Sequence, residues 1–302
     1  MRVGVTGASG FIGTALVRAL RERGDHVIRF VRPDTRLDAG DVVRWDPAAH
    51  VVDDDDLRRV GPMDALVHLA GAGIADRRWS TARKEEIRRS RVESTSLLVE
   101  VLREMDTTPH LACGSAIGIY GSRGDERLDE ASSLGEDFLA RVCAEWESAA
   151  GALRDTGTVV TSMRTGIVMS ARGGALKRQV ALFKWGLGGR LSTGRQWLSP
   201  ISLRDQVRAM LWVVDRRLDG PVNLTAPEPV TNAQFTTALA HELHRPAFLR
   251  VPSFALAAVL GPELAQTAVL ASQRVIPTAL LESGFAFEQA DLTSIVAWAL
   301  SH

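Results

Sequence analysis

The sequence predicts an α/β chain, a doubly wound parallel sheet followed by a smaller, mostly helical lobe. Three observations carry this. Through the first half, short apolar runs alternate with longer amphipathic ones, as strand–helix–strand units require. Glycines crowd the turn between the first apolar run and the first amphipathic one. Beyond about Arg164 the chain becomes glycine-rich, and from Thr231 it is largely helical.

Taken in order, the predicted strands of the first half are Val3–Thr6, Val27–Val31, Ala65–Leu69, His110–Ser115 and Val159–Arg164. Between them the 3.6-residue pattern predicts helices over Ile12–Arg23, Thr81–Arg103 and Asp137–Arg154. Gly24 is placed as a helix stop, and Ser80 as a helix start. The acidic run Asp53–Asp56 reads as a solvated loop; it has no His or Cys to hold a soft metal, and no metal site is expected. In the second half, loops over Gly166–Gly194 surround a helix at Ala175–Trp185, followed by a helix at Gln206–Arg216 and a short strand at Val222–Leu224. Helices then cover Asn232–His244, Ser253–Leu260, Leu264–Ser272 and Leu292–Leu300.

Of 302 residues, 45% are apolar and 24% charged, ordinary values for a chain with a full core. The net charge of zero argues against a basic field that would gather nucleic acid or an anionic membrane. Two cysteines, Cys113 and Cys143, sit in apolar surroundings and read as reduced, buried thiols. Phe254–Leu260 is too short to span a bilayer, and the N-terminus shows no signal-peptide pattern, so a cytoplasmic location is expected.

The chemistry begins at VGVTGASGFIGTALVRAL. Gly7 permits a tight turn, Gly10 lets backbone approach a pyrophosphate, and Gly13 lets helix and strand pack closely. Unpaired N–H groups at the following helix start attract the diphosphate. Thr6, Gly7, Ser9, Gly10, Phe11, Ile12 and Gly13 are therefore the expected cofactor loop of a Rossmann-type domain. The second strand ends in HVIRFVRP, with Arg32 where an acid would bond the ribose 2′-OH of NAD. A guanidinium there suits a 2′-phosphate instead, and NADP(H) is the expected cofactor. Leu69, Ala70 and Gly71 end the third strand with room for a ribose to pass. The preceding His68 reads either as a polar contact or as a packed core histidine. Residues 1–165, joined by about 200–225, form the expected nucleotide domain, and 166–302 the substrate lobe.

Longer phrases carry a resemblance. HLAGAGI followed by RRW, SRVEST, GSAIGIYGSRGDERLDEAS, FLARVCAEWE, RTGIVMSARGGALK, GRQW, GPVNLTAPEPVTNAQF and SQRVIPTALLESGFAF run almost end to end. With TGASGFIG they resemble the epimerase-like proteins of the extended short-chain dehydrogenase/reductase superfamily, in the branch labelled sugar-nucleotide epimerase. In active members a Tyr, with a Lys four residues on, moves a proton while hydride moves at the nicotinamide, and a Ser or Thr steadies the oxygen. Here Phe138 and Val142 stand at those two positions; the lone tyrosine is Tyr120, and no lysine lies between Lys84 and Lys177. The candidate catalytic groups that remain are Ser115, at a strand end, and Tyr120, in the GIYG turn. Arg164 ends its strand where a cofactor or an anionic substrate would lie, and Arg195 and Gln196 of GRQW are the substrate candidates. In PISLRDQ, Ser202 and Arg204 replace the His and Asp that the superfamily favours there.

Two functions fit these residues. One is an NADP(H)-dependent oxidoreductase or epimerase-like enzyme acting on a small molecule with non-standard acid–base groups. The other is a non-catalytic NADP(H)-binding sensor or scaffold. No nucleic-acid or membrane partner is expected, and a homodimer is the superfamily's habit.

Overall fold

A computed structural model describes residues 1–36, 39–105 and 107–302. Its central sheet is built from β1 (Arg2–Thr6), β2 (His26–Val31), β3 (Val42–Asp46), β4 (Val51–Val52), β5 (Ala65–His68), β6 (His110–Ala116), β7 (Val160–Thr165) and β8 (Gly220–Leu224). Across the sheet the order is β8-β7-β6-β5-β1-β2-β3-β4. Every pair is parallel except β3–β4. Helices cover both faces, which is why β1 and β5 read as nearly unbroken apolar runs and are buried almost throughout. The strand order reverses between β1 and β5, so a crevice opens at their carboxyl ends, where this architecture binds ligands.

The longer helices position the rest: α1 (Phe11–Glu22), α2 (Asp54–Val60), α3 (Thr81–Arg103), α4 (Phe138–Gly151), α5 (Gly174–Lys184), α6 (Leu203–Arg216), α7 (Asn232–Glu242), α8 (Ser253–Leu260) and α9 (Leu292–Ser301). On one face of the sheet α1 and α6 bury Leu16, Leu20, Met210 and Val213. On the other, α3 and α4 bury Leu98, Leu102 and Trp146. A third core, including Leu176, Phe183, Phe235 and Ile295, joins α5, α7 and α9 in the second lobe. Among the described residues no helix is long and apolar enough to cross a membrane.

The acidic run is not a solvated loop. Asp53 caps α2, its side chain accepting from the Asp56 N–H at 2.9 Å, and Asp54 to Asp56 form the first turn, where the helix dipole favours negative charge. Asp56 is buried and accepts from the Arg44 backbone N–H and from the Arg44 and Arg59 guanidinium groups. Those bonds hold its carboxyl below the usual range although burial pushes the other way.

The helix expected over Leu264–Ser272 also differs. A short helix at Pro262–Leu264 runs into a π-helical turn at Ala265–Val269, and the chain then straightens. The reason is a docking contact on the first lobe: the Ser272 hydroxyl donates to the Gly124 carbonyl, and the Gln273 amide donates to the carbonyls of Ile117 and Gly121. Helix α6 begins three residues earlier than expected, because the Ser202 hydroxyl accepts from the Asp205 N–H at 3.0 Å and caps it.

Candidate functional site

The glycine loop follows β1 directly. Gly7 has φ +64°, and a Cβ there would lie 2.8 Å from the Leu69 backbone. Gly10 donates to the Gly7 carbonyl at 2.9 Å and serves as the N-cap of α1 with no side chain closing the helix end. A Cβ on Gly13 would collide with the Gly7 carbonyl. The first turn of α1 contains no acid. Its N–H groups are thus left for an anion, in a cradle that larger side chains would fill.

Thr6 ties this loop to the end of β5. Its Oγ1 accepts from the N–H groups of Leu69 and Ala70, at 3.0 and 3.1 Å, and lies 2.6 Å from His68 Nδ1. With both acceptor positions filled, the Thr6 proton goes to Nδ1, and His68 Nε2–H faces the Ser94 hydroxyl at 3.2 Å. His68 is fully buried, and burial pulls its pKa down to about 3. The neutral ring holds β1, β5 and α3 together, the core-histidine alternative of the sequence.

Arg32 follows the last residue of β2, is exposed, and forms no ion pair among the described residues. Beyond Gly71 lies a residue that sequence reasoning missed. Arg91 of α3 is half-buried with its guanidinium carbon 5.3 Å from the centre of the Trp146 ring, and a Cβ on Gly71 would touch that carbon at 3.4 Å. It donates to the Ile87 carbonyl but has no carboxylate partner among the described residues. Burial lowers its pKa. Trp146 and the neighbouring Cys143 belong to α4, the helix on which Val142 is expected at the lysine position. The signal in the sequence was SRVEST itself, whose arginine lies on the α3 face that packs on α4.

The expected catalytic groups, Ser115 and Tyr120, are buried and bonded to protein partners. The Ser115 hydroxyl donates to Glu147 at 2.6 Å. Arg164 makes a two-pronged pair with the same carboxylate, both contacts at 2.9 Å, and its third nitrogen donates to the Tyr120 hydroxyl. Tyr120 in turn donates to Asn223 at 2.7 Å. Burial pushes the phenol up to about 12, although Arg164 and Asn223 pull the other way. Burial works against the Arg164 charge, but Glu147 outweighs it and the guanidinium pKa rises. Ser115, Tyr120 and Arg164 are therefore brought together, as one buried network that fastens β6, β7, β8 and α4, with their protons directed inward. Cys143 is buried, and burial pushes its thiol up to about 12.

Where the tyrosine would stand, the Phe138 ring packs edge-on against Trp79, centroids 5.1 Å apart, with Lys84 Nζ 5.2 Å from the ring centre. Lys84 also pairs with Glu263 at 3.0 Å. Val142 is buried. In the second lobe the Gln196 amide donates to the Leu191 carbonyl inside its own loop, and Arg195 is exposed. The Trp197 indole donates to Asp125 at 2.7 Å. Ser202 donates to Gln289, and Arg204 pairs with Glu288, both far from the glycine loop in role: they anchor the start of α6.

Residues 3–225 match the NAD dependent epimerase/dehydratase family. The chain belongs to that family. Residues 251–299 of this epimerase-family chain match a further domain, of unknown function. An epimerase family protein of Mycobacterium tuberculosis is 42% identical over 299 residues, covering 98% of this chain and 97% of its own. A chloroplastic epimerase family protein of Arabidopsis thaliana is 36% identical over 95% of this chain and 83% of its own. Human epimerase family protein SDR39U1, solved with NADPH, superposes with a TM-score of 0.89 at 29% identity, covering 100% of this chain and 99% of that one. UDP-glucose 4-epimerase of Thermus thermophilus, at 19% identity and a TM-score of 0.77, shares the fold.

Proposed function

We propose that this epimerase-family chain binds NADP(H) across the β1–β5 crevice and uses it to oxidise or reduce a small molecule. The observation that carries the reading is the cradle: Gly7, Gly10 and Gly13 leave the α1 N-terminus open, and Arg32 after β2 and Arg91 beside Gly71 pair with no carboxylate among the described residues. Ser9, Phe11 and Ile12 would face the diphosphate, Arg32 the 2′-phosphate, and Arg91 the nicotinamide ribose that Leu69, Ala70 and Gly71 leave room for. The NADPH in the human relative supports the same choice. When bound, NADP(H) supplies or accepts the hydride. Arg91 takes the positive charge that Val142 cannot provide, and an arginine stays charged where a lysine would titrate. Ser115, Tyr120 and Arg164 then set the shape of the site through Glu147.

A second reading, a sensor without turnover, is favoured by one observation, the Phe138–Trp79 pair at the place of proton transfer. Incubating the protein and NADPH with a panel of small aldehydes, ketones and sugar derivatives separates the two. NADPH oxidation that disappears in Gly13→Val supports the enzyme. Saturable NADPH binding with no oxidation above the Gly13→Val background across the panel and a cell's small-molecule extract moves the assignment to the sensor.

A further inference from the structure

The zero net charge conceals a strong segregation. From Thr156 to Arg204 the chain carries eight basic residues and no acidic one, and Leu243–Pro262 adds His244, Arg245 and Arg250, again with no acid. The fold brings these two stretches together, since the strand Gly189–Leu191 pairs with Leu249–Val251. Arg190 thereby lies beside Arg250 in register. Lys184, Arg190, Arg245 and Arg250 are exposed, and none forms an ion pair among the described residues. Of the acids that bound these stretches in sequence, Glu263 is already paired with Lys84.

Large apolar side chains stand among these cations. Phe248 is 92% exposed, Trp185 83%, Phe254 75% and Val259 71%. Helix α8 has eight residues, none charged and none buried. Its mean hydropathy is that of a core helix, yet it lies on the surface. Aromatic rings and aliphatic side chains fringed by arginine and lysine are the composition that settles into the headgroup layer of a bilayer, the rings at the acyl boundary and the cations on anionic lipid. A second copy of the chain is a poor occupant. A two-fold contact would set this face against itself, cation on cation, in a low-dielectric interface.

We propose that this face of the second lobe, from Lys184 to Arg190 and from Arg245 to Val259, docks the protein on an anionic lipid surface. The attachment is peripheral. Arg78 donates to the Ala258 carbonyl, so the docked helix is tied to the segment carrying Trp79, next to the crevice.

Co-sedimentation with vesicles of phosphatidylcholine alone, and of phosphatidylcholine with about a quarter phosphatidylglycerol, tests this. The expected result is at least about tenfold more protein on the anionic vesicles, lost as salt shortens the screening length. Lys184→Glu with Arg245→Glu removes the preference for anionic vesicles, and Trp185→Ser with Phe248→Ser weakens binding to them; both variants keep the wild-type thermal transition. Three results overturn the proposal: no sedimentation with either vesicle by wild-type protein, a concentration-dependent dimer that Phe248→Ser dissolves, or retention by duplex DNA that outcompetes the vesicles.

Discussion

Thr6 fixes more than a turn. By giving its proton to His68 and accepting from Leu69 and Ala70, it makes the neutral imidazole part of the joint beneath the crevice. His110, on β6, is a second case: it contacts the Thr161 hydroxyl at 2.8 Å, and burial lowers its pKa to about 4. Both folded-state values lie below the ordinary 6.5. The unfolded chain therefore binds more protons as pH falls, so the stability contributed by each neutral ring is complete above 6.5 and is lost between there and the folded values. From pH 6.5 down to about pH 5 each histidine is expected to cost about 2 kcal/mol of stability. Urea denaturation across that range should show the loss, and His68→Gln should flatten it. An unchanged slope in that variant would mean that the ring is not held neutral.

At the scale of elements, α4 carries Phe138 and Val142, the residues expected at the family's tyrosine and lysine positions. The expectation that Phe138 and Val142 stand at the tyrosine and lysine positions comes from the resemblance that FLARVCAEWE helps to carry. The partner of Ser115 was not legible, since Glu147 meets Ser115 and Arg164 only when β6 and β7 come side by side. The same holds for Arg91, whose neighbours Gly71 and Trp146 are brought close by packing of α3 on α4. Strands with runs such as Val3–Thr6 were easy to place, because burial on both faces leaves an apolar run that no loop would carry. The acidic run misled for a local reason: a string of aspartates that looks solvated is also what a helix N-terminus favours. The buried Glu147–Arg164 pair yields its own prediction. Glu147→Ala would leave the guanidinium buried beside Tyr120 without its carboxylate, and should cost about 3–5 kcal/mol. Denaturant titration of the variant checks it. A loss under about 1 kcal/mol would place the pair with ordinary surface salt bridges.

On the scale of the whole molecule, two surfaces are held apart by one frame. The crevice at the strand reversal carries the glycine loop, and the basic, aromatic face of the second lobe includes α8. On the proposed assignments Gly13→Val should abolish cofactor binding and leave vesicle binding, while Trp185→Ser with Phe248→Ser should weaken vesicle binding and leave cofactor binding.

On the proposed reading the β1–β5 crevice is an NADP(H) site that selects its cofactor through Arg32. Fluorescence titration of NADPH and NADH, with wild-type protein beside Arg32→Ala, tests it most directly. The expected result is NADPH binding at least about tenfold tighter than NADH, a difference of about 1.4 kcal/mol, and loss of that preference in the variant. Equal affinity for the two cofactors in wild-type protein, or no binding of either, would contradict it.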